Sequence, residues 1–138
     1  MAEWRLATAE ALYPLLDNFK RIDGEILRNV WRVREEGCLV RVILDFGQIS
    51  LTIGARPEDD TVEIWTHQGA TVAKTGVDAI KSEPWSSFVG KPFDWGWVTI
   101  NQQGYCDGVL LSFGGITPQM LLNVAASSIN EIRFSPPD

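Results

Sequence analysis

The side chains that could carry out covalent or acid–base chemistry are few and scattered. The chain has one histidine, His67, and two cysteines, Cys38 and Cys106. A cysteine nucleophile needs a base within hydrogen-bond reach, and only folding could bring His67 to Cys106, because no local motif joins them. We therefore interpret both cysteines as small, partly buried strand residues, which is common for free cysteine. We expect no catalytic residues and a protein that is not an enzyme.

Metal and phosphate sites are not indicated either. A lone histidine supplies too few ligands for a zinc site, and the acidic run Glu58–Asp60 lacks the spacing of an EF-hand loop. The segment GKPF (90–93) lacks the upstream glycine and the Ser/Thr of a phosphate-binding loop. We expect no metal and no cofactor.

One stretch, FDWGWVTINQQGYCDG (93–108), combines aromatic residues with uncharged amides. Aromatic side chains are enriched and charged ones depleted in the cores of protein interfaces. The second half of the chain carries 4 basic and 6 acidic residues, against 8 and 12 in the first half. This stretch therefore supplies our candidate binding patch: Trp95, Trp97, Asn101, Tyr105 and Asp107.

The elements that position this patch are predicted by an internal repeat. At an offset of 67 residues, VREEGCLVRVILDFGQI (33–49) aligns without a gap with INQQGYCDGVLLSFGGI (100–116). Upstream, GEILRNVW (24–31) aligns with GKPFDWGW (90–97) at an offset one residue smaller. We interpret the chain as a single domain, 1–138, with an internal duplication of about 1–69 and 70–138.

Each copy is predicted to contain about four antiparallel strands. The first copy has a lead-in helix over ATAEALYPLLDNFK (7–20), with Thr8 as a candidate N-cap, and a weaker helical pattern, VDAIKSEPWSSFVG (77–90), precedes the second. Gly37 and Gly104 fall where a short hairpin loop needs a left-handed residue. The fold class is α+β and β-rich, and the two units could form one sheet, a sandwich or a partly open barrel.

Strand alternation suggests what differs between the copies. In the first copy we assign Arg28, Val30, Arg32 and Arg34 to one face of the first hairpin strand. The 67-residue offset places Trp95, Trp97, Thr99 and Asn101 at these positions. On the partner strand, Gly108 takes the position of Arg41, and a glycine there would leave room for an indole. The competing interpretation is that the helix or the other sheet covers these tryptophans as core.

Charge and composition limit the classes of partner. The net charge of −6 disfavours nucleic acid, whose recognition uses a basic face. No apolar run reaches the length of a membrane span, so we expect no membrane association. We predict a cytoplasmic protein with a protein partner. A basic partner would suit this acidic chain, because complementary charges speed association. A homodimer is an alternative assembly.

The run W-x-W-x-x-x-N-Q-Q-G-Y-x-D-G-x-x-L-x-F (95–113), followed by L-x-V-A-A-S (122–127), resembles small uncharacterised bacterial proteins that are grouped as domains of unknown function. Some of these look like toxin-immunity proteins. The resemblance implies an acidic module that blocks a protein partner by occlusion, with no catalytic residues. The alternative is a small-ligand-binding protein or minor enzyme with a pocket between the two units near Trp97, Tyr105 and Asp107.

Overall fold

A computed structural model of the chain describes residues 9–69 and 76–134. Among these residues it contains one α-helix, one short 3₁₀ helix and nine strands. In chain order these are α1 (Ala9–Arg21), β1 (Asn29–Glu35), β2 (Cys38–Asp45), β3 (Ile49–Arg56), β4 (Thr61–Gln68), β5 (Gly76–Asp78), the 3₁₀ helix (Trp85–Ser87), β6 (Phe93–Ile100), β7 (Cys106–Phe113), β8 (Met120–Ala125) and β9 (Ser128–Arg133).

Helix α1 is amphipathic and packs through one face. Leu12, Leu15, Leu16 and Phe19 recur at helical spacing and contact the core. The buried Asn18 donates from Nδ2 to the carbonyl of Ile64, at 3.2 Å, and so links the helix to β4. The predicted lead-in helix is thus present, whereas its suggested N-cap, Thr8, lies outside the described residues.

The strands form two antiparallel meanders. The first sheet has the order β4-β3-β2-β1-β5 and the second β6-β7-β8-β9. Strands β1–β4 and β6–β9 follow each other in the same way, which confirms the prediction of a β-rich fold with two similar four-strand units and a lead-in helix. Gly37 and Gly104 adopt φ of +81° and +86° in the two hairpin loops. In the described ranges the strands do not close into a barrel.

Between residue 76 and β6, the described part of the second unit contains no α-helix. Where the weaker helical pattern lies, the chain forms strand β5 and then the three-residue 3₁₀ helix after Pro84. Proline has no amide hydrogen and clashes with the preceding turn, so an α-helix cannot run from residues 77–83 through Pro84. Trp85 in this segment is fully buried, so the connection fills space beside the core instead.

The two sheets bury a single core between them. Their inward-facing residues belong to one cluster, to which α1 adds Phe19. Phe19 lies against Gly96 of β6: a Cβ on this glycine would stand 2.4–2.7 Å from three Phe19 ring atoms. The absence of a side chain at position 96 is therefore what lets the helix approach the second sheet.

An ion pair crosses between the sheets at the side away from α1. Arg32 of β1 and Glu131 of β9 both point inward, and Arg32 Nη2 lies 2.7 Å from Glu131 Oε1. Their side chains are only 13% and 11% exposed. Trp85 donates from Nε1 to Glu131 Oε2 at 2.7 Å. The carboxylate thus neutralises a guanidinium, which also donates to the backbone carbonyl of Glu83 at 3.2 Å, and satisfies the buried indole N–H.

We predict that Glu131→Gln lowers the free energy of unfolding by about 3 kcal/mol, because removing one member of a buried pair leaves the other charge uncompensated. Urea denaturation followed by circular dichroism measures the change. Glu58→Gln is the control, because Glu58 pairs with Arg56 on the surface and exposed pairs contribute about 0–1 kcal/mol.

A double variant, Arg32→Met/Glu131→Met, should be more stable than either single substitution, because it removes both charges together. Equal losses from Glu131→Gln and Glu58→Gln would contradict the structural role of the buried pair.

Candidate functional site

The outward side of the second sheet, which we call the outer face, is built from three rows of side chains that cross the strands. Period-two alternation places these residues opposite the core-facing ones. The central row is apolar, and the flanking rows are aromatic or carry uncharged polar groups. In register, the rows are Trp97–Leu110–Leu121–Ile132, Trp95–Ser112, and Thr99–Gly108–Asn123–Asn130.

Large apolar side chains on the outer face are open to solvent. Trp95 is 52% exposed and Ile132 is 44% exposed, while Phe134, just after β9, is 41% exposed. The Trp95 and Trp97 rings stack with their centroids 6.4 Å apart. Helix α1 and the first sheet both pack on the opposite, core-facing side, so no described element makes these two tryptophans part of the core.

The five predicted site residues divide into two groups. Trp95 and Trp97 form one end of the outer face. Asn101 and Tyr105 belong to the β6–β7 loop, where Asn101 Oδ1 accepts from the backbone amides of Gln103 and Tyr105 at 2.9 and 3.2 Å. Asp107 lies at the edge of the outer face and accepts from Thr99 Oγ1 at 2.8 Å. The amide side chain of Asn101 therefore shapes the turn.

The assignment of faces in the first copy was wrong by one residue. Trp31 pairs with Ile43, twelve residues on, whereas Trp97 pairs with Leu110, thirteen residues on. The second hairpin is thus one residue longer, so Trp31 and not Val30 is the counterpart of Trp97. Arg32 points inward to Glu131, and Val98 takes its place in β6. The register irregularity between Thr99 and Ile100 accommodates the additional residue.

With this register, the two outer sides still differ in charge: the predicted exchange of Arg41 for Gly108 remains, and two further positions differ as well. The first sheet has Asp45, Arg41 and Glu63 in its outward rows. The structurally equivalent residues in the second sheet are Ser112, Gly108 and Asn130. Each charged position has become uncharged, and within the three rows the described outer face contains no Lys, Arg, Asp or Glu.

The suggested role of Gly108 also needs correction. A Cβ at this position would lie 2.7 Å from the backbone carbonyl oxygen of Leu122 and 2.9 Å from Thr99 Oγ1. The space beside Gly108 is therefore occupied by the neighbouring strands and leaves no room for an indole. Glycine is required here by the close approach of β8 to β7.

Sequence reasoning missed the far half of the outer face. Leu110, Leu121 and Ile132 continue the row that Trp97 begins, and Phe134 extends the apolar surface beyond β9. Alternation within MLLNVA and SINEIR carries this signal only weakly, because each strand has six residues. Strand order was needed to place the three residues in one row.

The structure does not bring His67 and Cys106 together. His67 is exposed and contacts Trp65 edge-on, in an outward row of the first sheet. Cys106 is buried in the core cluster. Burial, followed by the neighbouring Asp107 carboxylate, raises the pKa of the Cys106 thiol. A raised pKa is the opposite of what an activated thiolate nucleophile needs.

Two grooves border helix α1, each of about 440 Å³. One lies between α1 and β4 and reaches Cys106. The other lies between the C-terminal half of α1 and β6 and includes Trp95. Neither is lined by Trp97, Tyr105 or Asp107, so the pocket that we considered near these three residues does not coincide with either groove.

Two further features bear on the site. In the described part of the chain, no group of three or more His, Cys, Asp or Glu side chains is arranged to hold a metal ion. The helices within residues 9–69 and 76–134 include none with the length and hydropathy needed to cross a membrane.

Comparison with known proteins identifies the family. A model described as a family of unknown function, DUF6334, matches residues 11–137. The match covers nearly the whole chain, so the chain belongs to this family. It confirms the predicted resemblance to an uncharacterised domain, while the bacterial origin and the immunity-like character remain predictions. No curated protein and no solved structure matches the chain.

We predict that iodoacetamide alkylates Cys38 at least about tenfold faster than Cys106 in the native protein at pH 8, because only the thiolate reacts and Cys106 is buried with a raised pKa. Mass spectrometry of timed digests measures both rates. The difference should vanish in 6 M guanidinium chloride, which exposes both thiols equally. Faster alkylation of Cys106 in the native protein would reveal an activated thiol and contradict the structural role.

Proposed function

We propose that this DUF6334 protein is a non-enzymatic interaction module that binds a protein partner through the outer face of its second sheet. One observation carries the proposal: a row of apolar side chains crosses all four strands, is partly open to solvent, and has no charged residue within the rows beside it. Contiguous exposed apolar surface on a monomer marks interaction sites.

The composition of the outer face supports a protein as the partner. Tryptophan anchors and a charge-depleted centre are typical of interface cores, and binding energy concentrates on such aromatic residues. Trp95 and Trp97 are stacked on each other. We therefore expect them to lose little conformational freedom on binding, which favours affinity.

The charges around the outer face favour a basic partner. Asp94 and Asp107 lie toward opposite ends of the β6 edge, and the whole chain has a net charge of −6. A partner that presents an apolar patch bordered by Lys or Arg would match this distribution. Complementary fields raise the association rate and make it sensitive to ionic strength.

The mode of action that we propose is occlusion, as in an immunity protein: the partner is inactivated because its own functional surface is covered. A rigid sheet needs no rearrangement to cover such a surface. We place this action in the cytoplasm, where a chain with free Cys38 and Cys106 would keep its thiols reduced.

The small-ligand or enzyme alternative has weaker support. Cys106 is a poor nucleophile because its pKa is raised, and Asp107 already accepts a hydrogen bond from Thr99. The residues proposed for that pocket, Trp97, Tyr105 and Asp107, belong to an open face and its adjoining loop.

The partner can be found with a photo-cross-linker, p-benzoylphenylalanine, placed at Ile132 on the outer face in cells of the source organism. His67 is the control position, because it is exposed in an outward row of the first sheet, away from the outer face. We expect a cross-link from Ile132 and none from His67, followed by identification of the partner by mass spectrometry.

Binding is then measured with the purified partner by isothermal titration calorimetry. Ile132→Asp and Phe134→Asp should each weaken the affinity at least about tenfold, because a carboxylate would be buried without a counter-ion. His67→Asp should change it by less than about twofold. Equal effects of Phe134→Asp and His67→Asp would overturn the assignment of the binding face.

A second copy of the chain is the competing occupant. Sedimentation equilibrium of the purified protein distinguishes the two, because a self-associating face would give a dimer at micromolar concentration. A dimer that Ile132→Asp dissociates would replace the heterologous partner with self-association through the same face.

A further inference from the structure

The groove between α1 and β6 is an apolar slot with an acidic mouth. Phe19 and Phe93, whose rings stack at 5.9 Å and are almost fully buried, lie beneath it, and Leu16, Trp95 and Gly96 also line it. The volume of about 440 Å³ lies in the range of ligand-binding pockets. Trp95 forms part of the wall, so one indole borders both the groove and the outer face.

The mouth of the groove attracts positive charge. Asp23 and Asp94 line it, and neither side chain has a hydrogen-bond or ion-pair partner among the described residues. The cation on this rim, Lys20, lies 3.5 Å from Asp17 and is 81% exposed. The groove also lies beside the C-terminal end of α1, where the helix dipole favours cations.

We infer that this groove takes an apolar or aromatic group that carries a cationic head. The occupant we assign is a side-chain pair of the protein partner, namely an apolar anchor residue next to a Lys or Arg. The ring or alkyl part would pack against Leu16 and the Trp95 indole, above the buried Phe19 and Phe93, and the cation would meet Asp94 and Asp23. Indole faces attract such cations.

This inference rests on the proposed function, because the groove opens beside the outer face at Trp95. A partner seated on the outer face could insert one anchor into the groove without further movement. Anchor residues that fill pockets carry much of the binding energy, and a pocket that accepts only one kind of anchor discriminates between partners. The groove would then set which basic protein is bound, while the outer face supplies most of the buried area.

The ligand chemistry is tested with phenethylamine, an aromatic ring with a primary ammonium group. It is titrated into the ¹⁵N-labelled full chain and followed by amide chemical shifts. We expect saturable shifts at millimolar concentration that are confined to residues 16–23 and 93–96, which include every residue that lines the groove. Phenylacetate, which has the same ring and a carboxylate, should bind at least about tenfold more weakly.

Asp94→Asn should weaken phenethylamine binding about fivefold, which is the scale of a partly exposed ion pair.

Asp107→Asn is the matched control, because it removes a carboxylate at the opposite end of the same hairpin edge. Equal binding of amine and acid, shifts elsewhere in the protein, or identical effects of the two Asn variants would overturn the assigned chemistry.

A second arm uses the partner identified by cross-linking. Asp94→Asn should weaken its binding about fivefold, whereas Asp107→Asn should have a smaller effect. If Ile132→Asp abolishes partner binding and Asp94→Asn leaves it unchanged, the groove assignment fails and the proposed function stands. If phenethylamine binds in the groove but no partner binds the outer face, the proposed function fails, and a free amine replaces the side chain as the occupant.

Discussion

Every strand of this protein has two sides, and burying one side between the sheets commits the other to solvent. This constraint determines which side chains each sheet exposes on its outward side. The inward residues of both sheets meet in one core, so the outward rows are free to differ, and they do. The first sheet places Arg41, Asp45 and Glu63 outward, whereas the second places Gly108, Ser112 and Asn130 at the equivalent positions. The residues available to bind a partner are therefore those that the shared core leaves on the outward side of each sheet.

The two open sides of the sandwich are closed in different ways. On one side, α1 lies against β4 and β6, and its approach depends on the missing side chain of Gly96. On the other side, the connection before β6 inserts Trp85, whose indole N–H is satisfied by Glu131. Because Glu131 also binds Arg32, the same carboxylate joins a strand from each sheet and the connection between them. Apolar burial alone does not choose which strands face each other, so we interpret this buried ion pair as a device for specificity in sheet alignment.

The sequence predicted four antiparallel strands in each unit, because alternation and turn glycines are local signals, whereas the short strand β5 was not predicted. It singled out Trp95 and Trp97 but left open whether they belong to the core or to an exposed surface. It matched Arg32 to Thr99 instead of Val98, because the 67-residue offset of the hairpin was extended upstream into β1, although the smaller offset of GEILRNVW and GKPFDWGW already matches Trp31 with Trp97. A one-residue slip moves every side chain of a strand to the other face. Leu110, Leu121 and Ile132 were missed for a different reason: they form a row only once three separate strands are placed in register.

The same reasoning separates the roles of the polar residues near the tryptophans. Asn101 makes its hydrogen bonds to the turn that reverses the chain, and Asp107 bonds to Thr99 across the hairpin, so both are engaged in holding β6 against β7. Asp94 and Asp23 have no such engagement among the described residues, although they lie beside an apolar groove of useful size. A carboxylate without a partner next to apolar surface is available to a ligand, whereas one that already bonds its own backbone or side chains has to give up that bond first. The acidic end of β6 beside α1 is therefore better suited to recognise a cation than the end that drew attention in the sequence.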